Sequence, residues 1–255
     1  MVIRKRCLLW DYTNTRDRPG AIDQLNFNGP FRSVANWNTW APPELKGRLP
    51  YYPQARTPAQ LQDGSEDYRN FQAVIGAAGS KPIKVLFLNE PERIPCSPQQ
   101  AAQLWRQKML PLRRGHGNVK LVGPSCASDD AGHKWLREFM GAIGGDKPDF
   151  LGCHWYGTDA GACKKYLEGL HNEFKLPLFV SEIASISRDG NQVNAFTADM
   201  ADWMDHQGFV EEYAFFGCMA HVADNFVSPA AQLMAPDGKF TPLMKRLMND
   251  QPMKK

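Results

Sequence analysis

Short apolar runs alternate with amphipathic helical patterns along almost the whole chain. Several runs are continuously apolar, as expected for parallel strands that are covered on both faces. The eight predicted strands span Arg6–Tyr12, Ser33–Asn38, Leu49–Pro53, Pro82–Asn89, Lys120–Gly123, Asp149–Tyr156, Pro177–Glu182 and Glu212–Cys218. Because the chain has 255 residues and a (β/α)8 barrel typically takes about 250, the pattern predicts an α/β fold, a single (β/α)8 TIM barrel, with one domain over residues 1–255.

Helical patterns fill most gaps between the predicted strands. Ser97-Pro-Gln-Gln100 predicts a helix start with a capping box. An apolar stripe from Val193 to Met204 predicts a helix of the outer layer of the barrel. The stretches Asp11–Arg32 and Asn38–Arg48 carry turn residues instead. We predict long loops there, and long loops in a compact domain are usually functional.

Composition narrows the classes of function. The net charge is only +3, and Lys and Arg are scattered, whereas a nucleic-acid-binding protein is expected to carry a basic face. No run of 18 apolar residues is present, so we expect no membrane-spanning helix and no membrane partner. No signal peptide is visible, and we expect a protein that is secreted or located in the cell wall, with its leader absent from this chain. We also expect the protein to be a monomer.

Cysteines and acidic groupings give little sign of a metal. Six cysteines allow three disulfides, and Cys96 and Cys126, which follow consecutive predicted strands, are the best candidate pair. No CxxC pair occurs, so we expect no structural zinc site, no other metal and no cofactor. Asp129–His133 and His221–Asp224 lack a recognised ligand spacing, and we assign their acidic residues to caps and loops. Glu211-Glu212 precedes the predicted eighth strand, at the barrel end where residues serve stability.

Two predicted strands end near a glutamate, Glu90 and Glu182, which lie 92 residues apart. That interval is three repeats of about 31 residues, close to the usual βαβ length of about 30. The carboxyl ends of the strands form the functional face of a (β/α)8 barrel, and cleavage of a glycosidic bond requires paired carboxylates. Taken singly, each glutamate is equally well interpreted as a turn residue or a salt-bridged strand end.

The local sequence indicates how each glutamate is used. Pro91 disfavours helical backbone at Glu90, so we expect an extended conformation there. Glu182 would attack the anomeric carbon, and Glu90 would protonate the leaving oxygen and then activate water, with the two carboxyls about 5 Å apart. Like charge and partial burial would raise the pKa of the acid. Glu92 competes for the acid role but lies past the proline turn.

Polar and aromatic side chains accompany the predicted strand ends. Asn89 precedes Glu90 and can hydrogen-bond a sugar hydroxyl. His154 and Tyr156 share one face of the sixth strand and would orient Glu182, although packing in the core is the competing interpretation. Four tryptophans near strand ends are candidates for stacking on sugar rings, with core packing as the alternative. They are Trp10, Trp37, Trp40 and Trp155.

An ordered set of motifs makes the chain similar to a known family. The motifs are Leu8–Tyr12, Asn36–Trp40 with Pro42–Glu44, Phe87–Pro91, Val122–Ser125, His154–Gly157, Ser181-Glu182 and Met234–Pro242. With them the chain resembles the clan A glycoside hydrolases, which are retaining (β/α)8 enzymes, and more narrowly glycoside hydrolase family 128. The resemblance implies a catalytic domain that hydrolyses β-1,3-glucan, with Glu90 as acid/base and Glu182 as nucleophile. It departs from the clan at the eighth strand, where many members carry a tryptophan as a sugar platform; in this chain the platform is Phe216, Met219 or absent.

The sequence therefore predicts a retaining β-1,3-glucanase that acts on β-1,3-glucan or its oligosaccharides, with endo cleavage favoured over exo. Three alternatives stay open. The substrate is another β-glycan, such as β-1,4-glucan or mannan; or the protein binds cell-wall glucan with weak or no turnover; or the barrel is a metal-dependent hydrolase. Linkage preference follows from groove shape, which the sequence does not reveal.

Overall fold

The computed structural model describes residues 3–249 of the chain, and all eight predicted strands are found there with shifted ends. The third predicted run contains one short strand, and a second begins directly after Pro53, which has no N–H to donate to a sheet. The strands are β1 Arg6–Leu9, β2 Phe31–Ala35, β3 Tyr51–Tyr52, β4 Gln54–Ala55, β5 Ile83–Phe87, β6 Val119–Val122, β7 Leu151–Gly157, β8 Leu178–Ser185 and β9 Val210–Phe215.

Helices follow most of the strands, as the amphipathic patterns predict. The α-helices are α1 Tyr12–Asp17, α2 Glu66–Ala77, α3 Pro98–Leu104, α4 Leu110–Gly115, α5 Asp130–Ile143, α6 Ala160–Phe174, α7 Gly190–His206 and α8 Pro242–Met248. The predicted capping box is present at the start of α3, where Ser97 and Gln100 each accept from the other's backbone N–H. Within residues 3–249, no helix is both long and apolar enough to cross a membrane.

The prediction of a long loop over Asp11–Arg32 is wrong in part. The stretch contains α1 and a 3-10 helix at Pro19–Gln24. Asp11 caps α1 by accepting a hydrogen bond from Thr13 N–H at 2.8 Å. Because α1 has only six residues, it is too short to show an apolar periodicity in the sequence.

Contacts divide the described chain into two compact units. The first comprises residues 3–35, 42–50 and 155–249. Its strands pair in parallel in the order β2-β1-β9-β8. Glu211 and Glu212 lie inside β9 and not before it, which corrects the prediction. Glu212 is fully buried and accepts from Ser33 Oγ, so it ties β9 to β2.

The second unit comprises residues 36–41 and 51–154. Its strands pair in parallel in the order β4-β5-β6. Aromatic rings pack against β5: the Phe87 ring centroid lies 5.3 Å from that of Trp105 and 6.1 Å from that of Phe139. This packing fixes the strand that leads to Glu90. The expectation of one domain stays a prediction, and residues 1–2 and 250–255 lie outside the described part of the chain.

The cysteines are all buried, and the predicted bridge between Cys96 and Cys126 is wrong, because both are free thiols. Cys96 Sγ lies 3.8 Å from Ser97 O, while Cys126 hydrogen-bonds to Glu92. The prediction rested on the order of strands, which does not fix the short Cα–Cα distance that a disulfide needs.

Candidate active site

Glu90 lies in the turn after β5, and its backbone is left-handed. Leu88 and Glu90 have φ values of 49° and 41°, in a region that bulky side chains rarely adopt. The expectation of an extended backbone at Glu90 is therefore wrong. The rule for the residue before a proline describes local sterics only, and here hydrogen bonds from neighbouring segments decide the conformation.

Backbone hydrogen bonds hold this turn from both sides. Leu88 N–H donates to Ala55 O at 2.8 Å. On the other side, Glu90 N–H donates to Ser125 O at 2.8 Å, and Ser125 N–H donates to Leu88 O at 3.1 Å. A strained turn persists when its surroundings determine it in this way. The bonds fix the direction in which the Glu90 side chain leaves the backbone.

Gly152 lets β7 approach the segment that carries Ser125. A Cβ atom at position 152 would lie 2.6 Å from Gly123 O and would also collide with Ser125 Oγ. Only glycine allows so close an approach of two backbones. The support for the Glu90 turn therefore depends on a glycine in the next strand.

The Glu90 carboxylate is hydrogen-bonded to a histidine. Glu90 Oε1 lies 3.0 Å from His154 Nδ1, and His154 is buried while the Glu90 side chain is 30% exposed. The hydrogen bond from His154, opposed by partial burial, holds the pKa of Glu90 below its ordinary value. The expected rise in the pKa of the acid is therefore wrong. The sequence also missed the pairing of His154 with Glu90.

Glu92 lies in the same turn, but its carboxylate is engaged by backbone and thiol. Glu92 Oε1 accepts from Ala127 N–H at 2.8 Å, and the side chain is 3% exposed. Burial, together with the charge of Glu92, raises the pKa of Cys126 well above its ordinary value, so this thiol stays protonated and donates to Glu92. Glu92 thus anchors the loop after β6, and the more accessible Glu90 is the better candidate for the acid.

Glu182 lies in β8 at an irregularity of the strand. The pairing register between β8 and β9 shifts between Val180 and Ile183, and such a bulge re-aims a side chain. Glu182 is 6% exposed, and Tyr156 Oη donates to Glu182 Oε2 at 2.7 Å. The predicted hydrogen bond from Tyr156 is present. A bond to an ionised acceptor is among the stronger ones in proteins, so it fixes the Glu182 carboxylate.

Two phenylalanine rings meet Tyr156 edge to face. The ring centroid of Tyr156 lies 5.8 Å from that of Phe216 and 5.4 Å from that of Phe226. Phe216 is buried, whereas Phe226 is 55% exposed. Phe216 therefore supports Tyr156 from the interior. Phe226 was not among the predicted site residues, although a lone aromatic in the polar loop after β9 was an available signal.

Trp10 is fully buried, with 0% of its surface exposed. Its Nε1–H donates to Glu44 Oε1 at 2.7 Å, and Thr15 Oγ1 donates to the same oxygen at 2.7 Å. A ring without exposed surface has no face to offer a sugar. The stacking role predicted for Trp10 is therefore wrong, and the alternative of core packing holds.

Trp37 and Trp40 lie in the second unit and are half-buried. The amide of Asn36 beside them is held by Tyr51, whose hydroxyl bonds to Asn36 Oδ1 and donates to Asn38 O at 2.8 Å. Partial exposure leaves both tryptophan rings with surface for a ligand. Trp37 and Trp40 therefore keep the stacking role as a prediction.

Asn89 and Trp155 each carry a polar atom without a partner. Asn89 Oδ1 and Trp155 Nε1 are buried and make no hydrogen bond among residues 3–249. The Trp155 ring packs 5.3 Å from that of Tyr166. Buried polar atoms are nearly always paired, so these two unpaired atoms are unusual, and the substrate-binding role of Asn89 and Trp155 stays a prediction.

In the described part of the chain, no group of three or more His, Cys, Asp and Glu side chains is arranged to hold a metal ion. Asp129 is the N-cap of α5 and accepts from Gly132 N–H at 2.9 Å. Asp224 accepts from Phe226 N–H at 2.8 Å. The assignment of these acidic residues to a cap and a loop is confirmed.

Comparison with known proteins gives matches over most of the chain. The family model of the glycosyl hydrolase catalytic core matches residues 27–246. A solved exo-β-1,3-glucanase of family 128, subgroup VI, from Aureobasidium namibiae is 47% identical, with 100% of both chains covered and a TM-score of 0.93. A subgroup V exo-β-1,3-glucanase from Cryptococcus neoformans is 26% identical, with 96% of this chain and 98% of that chain covered and a TM-score of 0.79.

A curated relative matches a smaller part of the chain. Alkali-sensitive linkage protein 1 of Schizosaccharomyces pombe is 32% identical over 142 residues, which make up 52% of this chain and 26% of that protein. The chain thus spans about a quarter of the length of this curated relative.

These matches define the class of protein. The fold is a (β/α)8 barrel, as the strand and helix pattern predicts. The chain belongs to the glycosyl hydrolase catalytic core family and, within it, to glycoside hydrolase family 128. The resemblance found in the sequence motifs is confirmed.

Proposed function

We propose that this chain is a retaining glycoside hydrolase that cleaves β-1,3-glucan, with Glu182 as the nucleophile and Glu90 as the acid/base. One observation carries the proposal: each glutamate has a hydrogen-bonding partner from β7, His154 for Glu90 and Tyr156 for Glu182. Membership of family 128 supports it. In a (β/α)8 barrel, catalytic residues come from the carboxyl ends of several strands.

In the first step, a carboxylate oxygen of Glu182 attacks the anomeric carbon. The glycosidic C–O bond breaks as Glu90 gives its proton to the leaving oxygen. The products are a glycosyl ester on Glu182 and a shortened glucan with a new hydroxyl. Tyr156 donates to one oxygen of Glu182, which orients the other toward the sugar.

In the second step, Glu90 takes a proton from water, and the water oxygen attacks the anomeric carbon. The ester bond breaks, Glu182 regains its negative charge, and two inversions give net retention. The mechanism requires the two carboxyl groups to lie about 5 to 5.5 Å apart. The lowered pKa of Glu90 in the free protein favours the ionised form that the second step needs, and a substrate that excludes water from Glu90 would raise that pKa for the acid step.

The relatives supply the support for the substrate and the mode of cleavage. The Aureobasidium and Cryptococcus enzymes are exo-β-1,3-glucanases, so we extend both the linkage and the exo mode to this chain, in place of the endo cleavage favoured from the sequence. Four further residues are proposed to contact the glucan through ring faces or polar atoms. They are Asn89, Trp37, Trp40 and Trp155.

Location and assembly follow from the proposed substrate. A cell-wall polymer lies outside the cell membrane, which supports a secreted or wall-associated protein. We propose a monomer, since one chain supplies both glutamates.

Product analysis tests the proposed function. We expect laminarin to yield glucose or short oligosaccharides, while cellulose, mixed-linkage glucan and mannan yield far less, and the size distribution separates exo from endo cleavage. Products from another polymer alone would change the substrate but keep both glutamates. Laminarin that binds without being cleaved would favour a glucan-binding protein. Activity that a chelator abolishes would favour a metal-dependent hydrolase.

A further inference from the structure

Phe226 and Tyr12 are the two large hydrophobic side chains classed as exposed among residues 3–249. Phe226 is 55% exposed, although Val227 and Ser228, which follow it, are buried. A single exposed apolar side chain is common on protein surfaces and means little by itself. Two further features distinguish Phe226: its loop is anchored, and its ring contacts Tyr156, which is hydrogen-bonded to Glu182.

Side chains tie down the loop that presents Phe226. Asp224 Oδ1 accepts from Phe226 N–H at 2.8 Å and from Val227 N–H at 3.1 Å. Arg188, in the connection between β8 and α7, donates through one Nη atom to Val227 O at 2.6 Å and through the other to Asn225 O at 2.5 Å. The guanidinium therefore bridges the carbonyls on either side of Phe226, a geometry that its planar fork suits.

The anchored ring lies one side chain away from the proposed nucleophile. The Phe226 and Tyr156 ring planes meet at 64°, and the Tyr156 hydroxyl bonds to Glu182. Because Phe226 is 55% exposed, its ring keeps accessible surface for a ligand beside Tyr156. A β-glucosyl ring offers axial C–H groups on its faces, since its hydroxyls are equatorial, and an aromatic face packs against such an apolar surface.

We propose that Phe226 is a substrate-binding residue whose ring stacks on the glucosyl unit next to the one attacked by Glu182, and that Arg188 is the residue that positions it. This inference rests on the proposed glucanase function and adds a specificity residue to it. Recognition of a second sugar unit makes the protein favour oligosaccharides over single glucosides.

Kinetics with substrates of different length test the inference. Phe226→Ala is expected to raise the KM for laminarin oligosaccharides about tenfold with kcat nearly unchanged, because a lost aromatic contact corresponds to roughly that factor. Hydrolysis of β-glucosyl fluoride, which carries no ring next to the attacked glucosyl unit, stays within about twofold of the wild type. Phe226→Trp keeps a ring and restores KM, whereas Phe226→Leu does not. Arg188→Gln, which loses the double carbonyl contact, raises KM by less than Phe226→Ala.

Calorimetric binding of laminarin oligosaccharides to Glu182→Gln proteins separates this inference from the proposed function. If the wild type cleaves glucan and Phe226→Ala changes neither KM nor the dissociation constant, the stacking role is wrong and the hydrolase stands. If the wild type binds without cleaving and Phe226→Ala weakens binding, the stacking role stands and the hydrolase falls. If Phe226→Ala lowers kcat on both substrates and Phe226→Trp does not restore it, the ring of Phe226 only supports Tyr156 by packing, and the inference is overturned. A wild type that neither binds nor cleaves overturns both.

Discussion

Glu90 and Glu182 each have one hydrogen-bonding side chain from β7, but their surroundings differ. Glu182 lies within a strand, is 6% exposed and accepts from a phenol hydroxyl at 2.7 Å. Glu90 lies past the end of its strand in left-handed backbone, with a side chain that is 30% exposed and an imidazole nitrogen at 3.0 Å. One carboxylate is fixed and secluded, and the other is held but open to solvent.

This difference matches two chemical tasks. An acid/base must exchange protons with the substrate and with water, so it needs access and a pKa that its surroundings can shift. A nucleophile needs a fixed orientation in its ionised form. The hydroxyl of Tyr156 orients the Glu182 carboxylate, whereas the imidazole of His154 also lowers the pKa of Glu90. The contrast supports Glu182 as nucleophile and Glu90 as acid/base, independently of the family motifs.

The largest loss of activity is expected when Glu182, the buried carboxylate, is replaced. Glu182→Gln keeps the size of the side chain and still accepts from Tyr156, but the amide is not a nucleophile. We expect kcat/KM for laminarin to fall by at least about a thousandfold, with an unchanged melting temperature and retained laminarin binding. A variant that keeps a tenth of the wild-type activity would break the assignment.

Replacement of Glu90, the more exposed carboxylate, is expected to lower the rate by a factor that depends on the leaving group. Glu90→Ala should lower the rate on laminarin by about 10²- to 10⁴-fold, because general acid catalysis contributes that much. An aryl glucoside with a good leaving group needs little protonation and should be bound and attacked almost as before. Glu92→Gln is the matched control in the same turn, and we expect it to lower stability more than rate. Because Glu90 is also the base of the second step, the comparison is made in kcat/KM, which reports the first step, and equal losses of kcat/KM on both substrates would argue that Glu90 is not the acid.

The hydrogen bond that fixes Glu182 is expected to contribute less than the carboxylate itself. Tyr156→Phe keeps the ring and its contacts with Phe216 and Phe226 but removes the donor. We expect kcat to fall about 10- to 100-fold on laminarin and on the aryl glucoside alike, as for a lost hydrogen bond to a charged group. Steady-state kinetics on both substrates measure this. An unchanged kcat would mean that the bulge in β8 alone orients Glu182.

The sequence revealed the fold and the two glutamates for the same physical reason. Parallel strands buried on both faces leave continuous apolar runs, and a carboxylate at the end of such a run stands out. What the sequence did not reveal depends on partners distant along the chain. The left-handed Glu90 requires the bonds of Ser125, and its lowered pKa requires His154, which is 64 residues away.

The tryptophans show the same limit. Trp10 and Trp37 both follow apolar strands and are alike in local pattern, but Trp10 is fully buried against Glu44 while Trp37 is only half-buried. Whether a ring at a strand end faces the core or solvent is set by which loop packs over it. A single sequence does not contain that information in its periodicity.

The smallest effect on rate, and the clearest on pH dependence, is expected at His154. Its hydrogen bond lowers the pKa of Glu90, so His154→Phe, which leaves the burial but removes the donor, should raise that pKa. Glu90 must be protonated to act as the acid, so kcat/KM falls as pH rises through its pKa. The alkaline limb of the profile should therefore move to higher pH in His154→Phe, with kcat at acidic pH changed by only about a few fold.

His154→Asn is the matched control, because its amide still offers an N–H donor and should leave the limb nearer to its wild-type position. The pH dependence of stability is a second measurement of the same lowered pKa of Glu90. A carboxyl whose pKa is lowered by folding stabilises the protein above its unfolded pKa, and this contribution is lost as pH falls through the folded value. As pH falls through this acidic range, the free energy of unfolding in urea should therefore decrease more for the wild type than for His154→Phe. An alkaline limb that stays in place in His154→Phe would show that the imidazole fixes only the orientation of Glu90, and the contrast between the two glutamates would then reduce to solvent access.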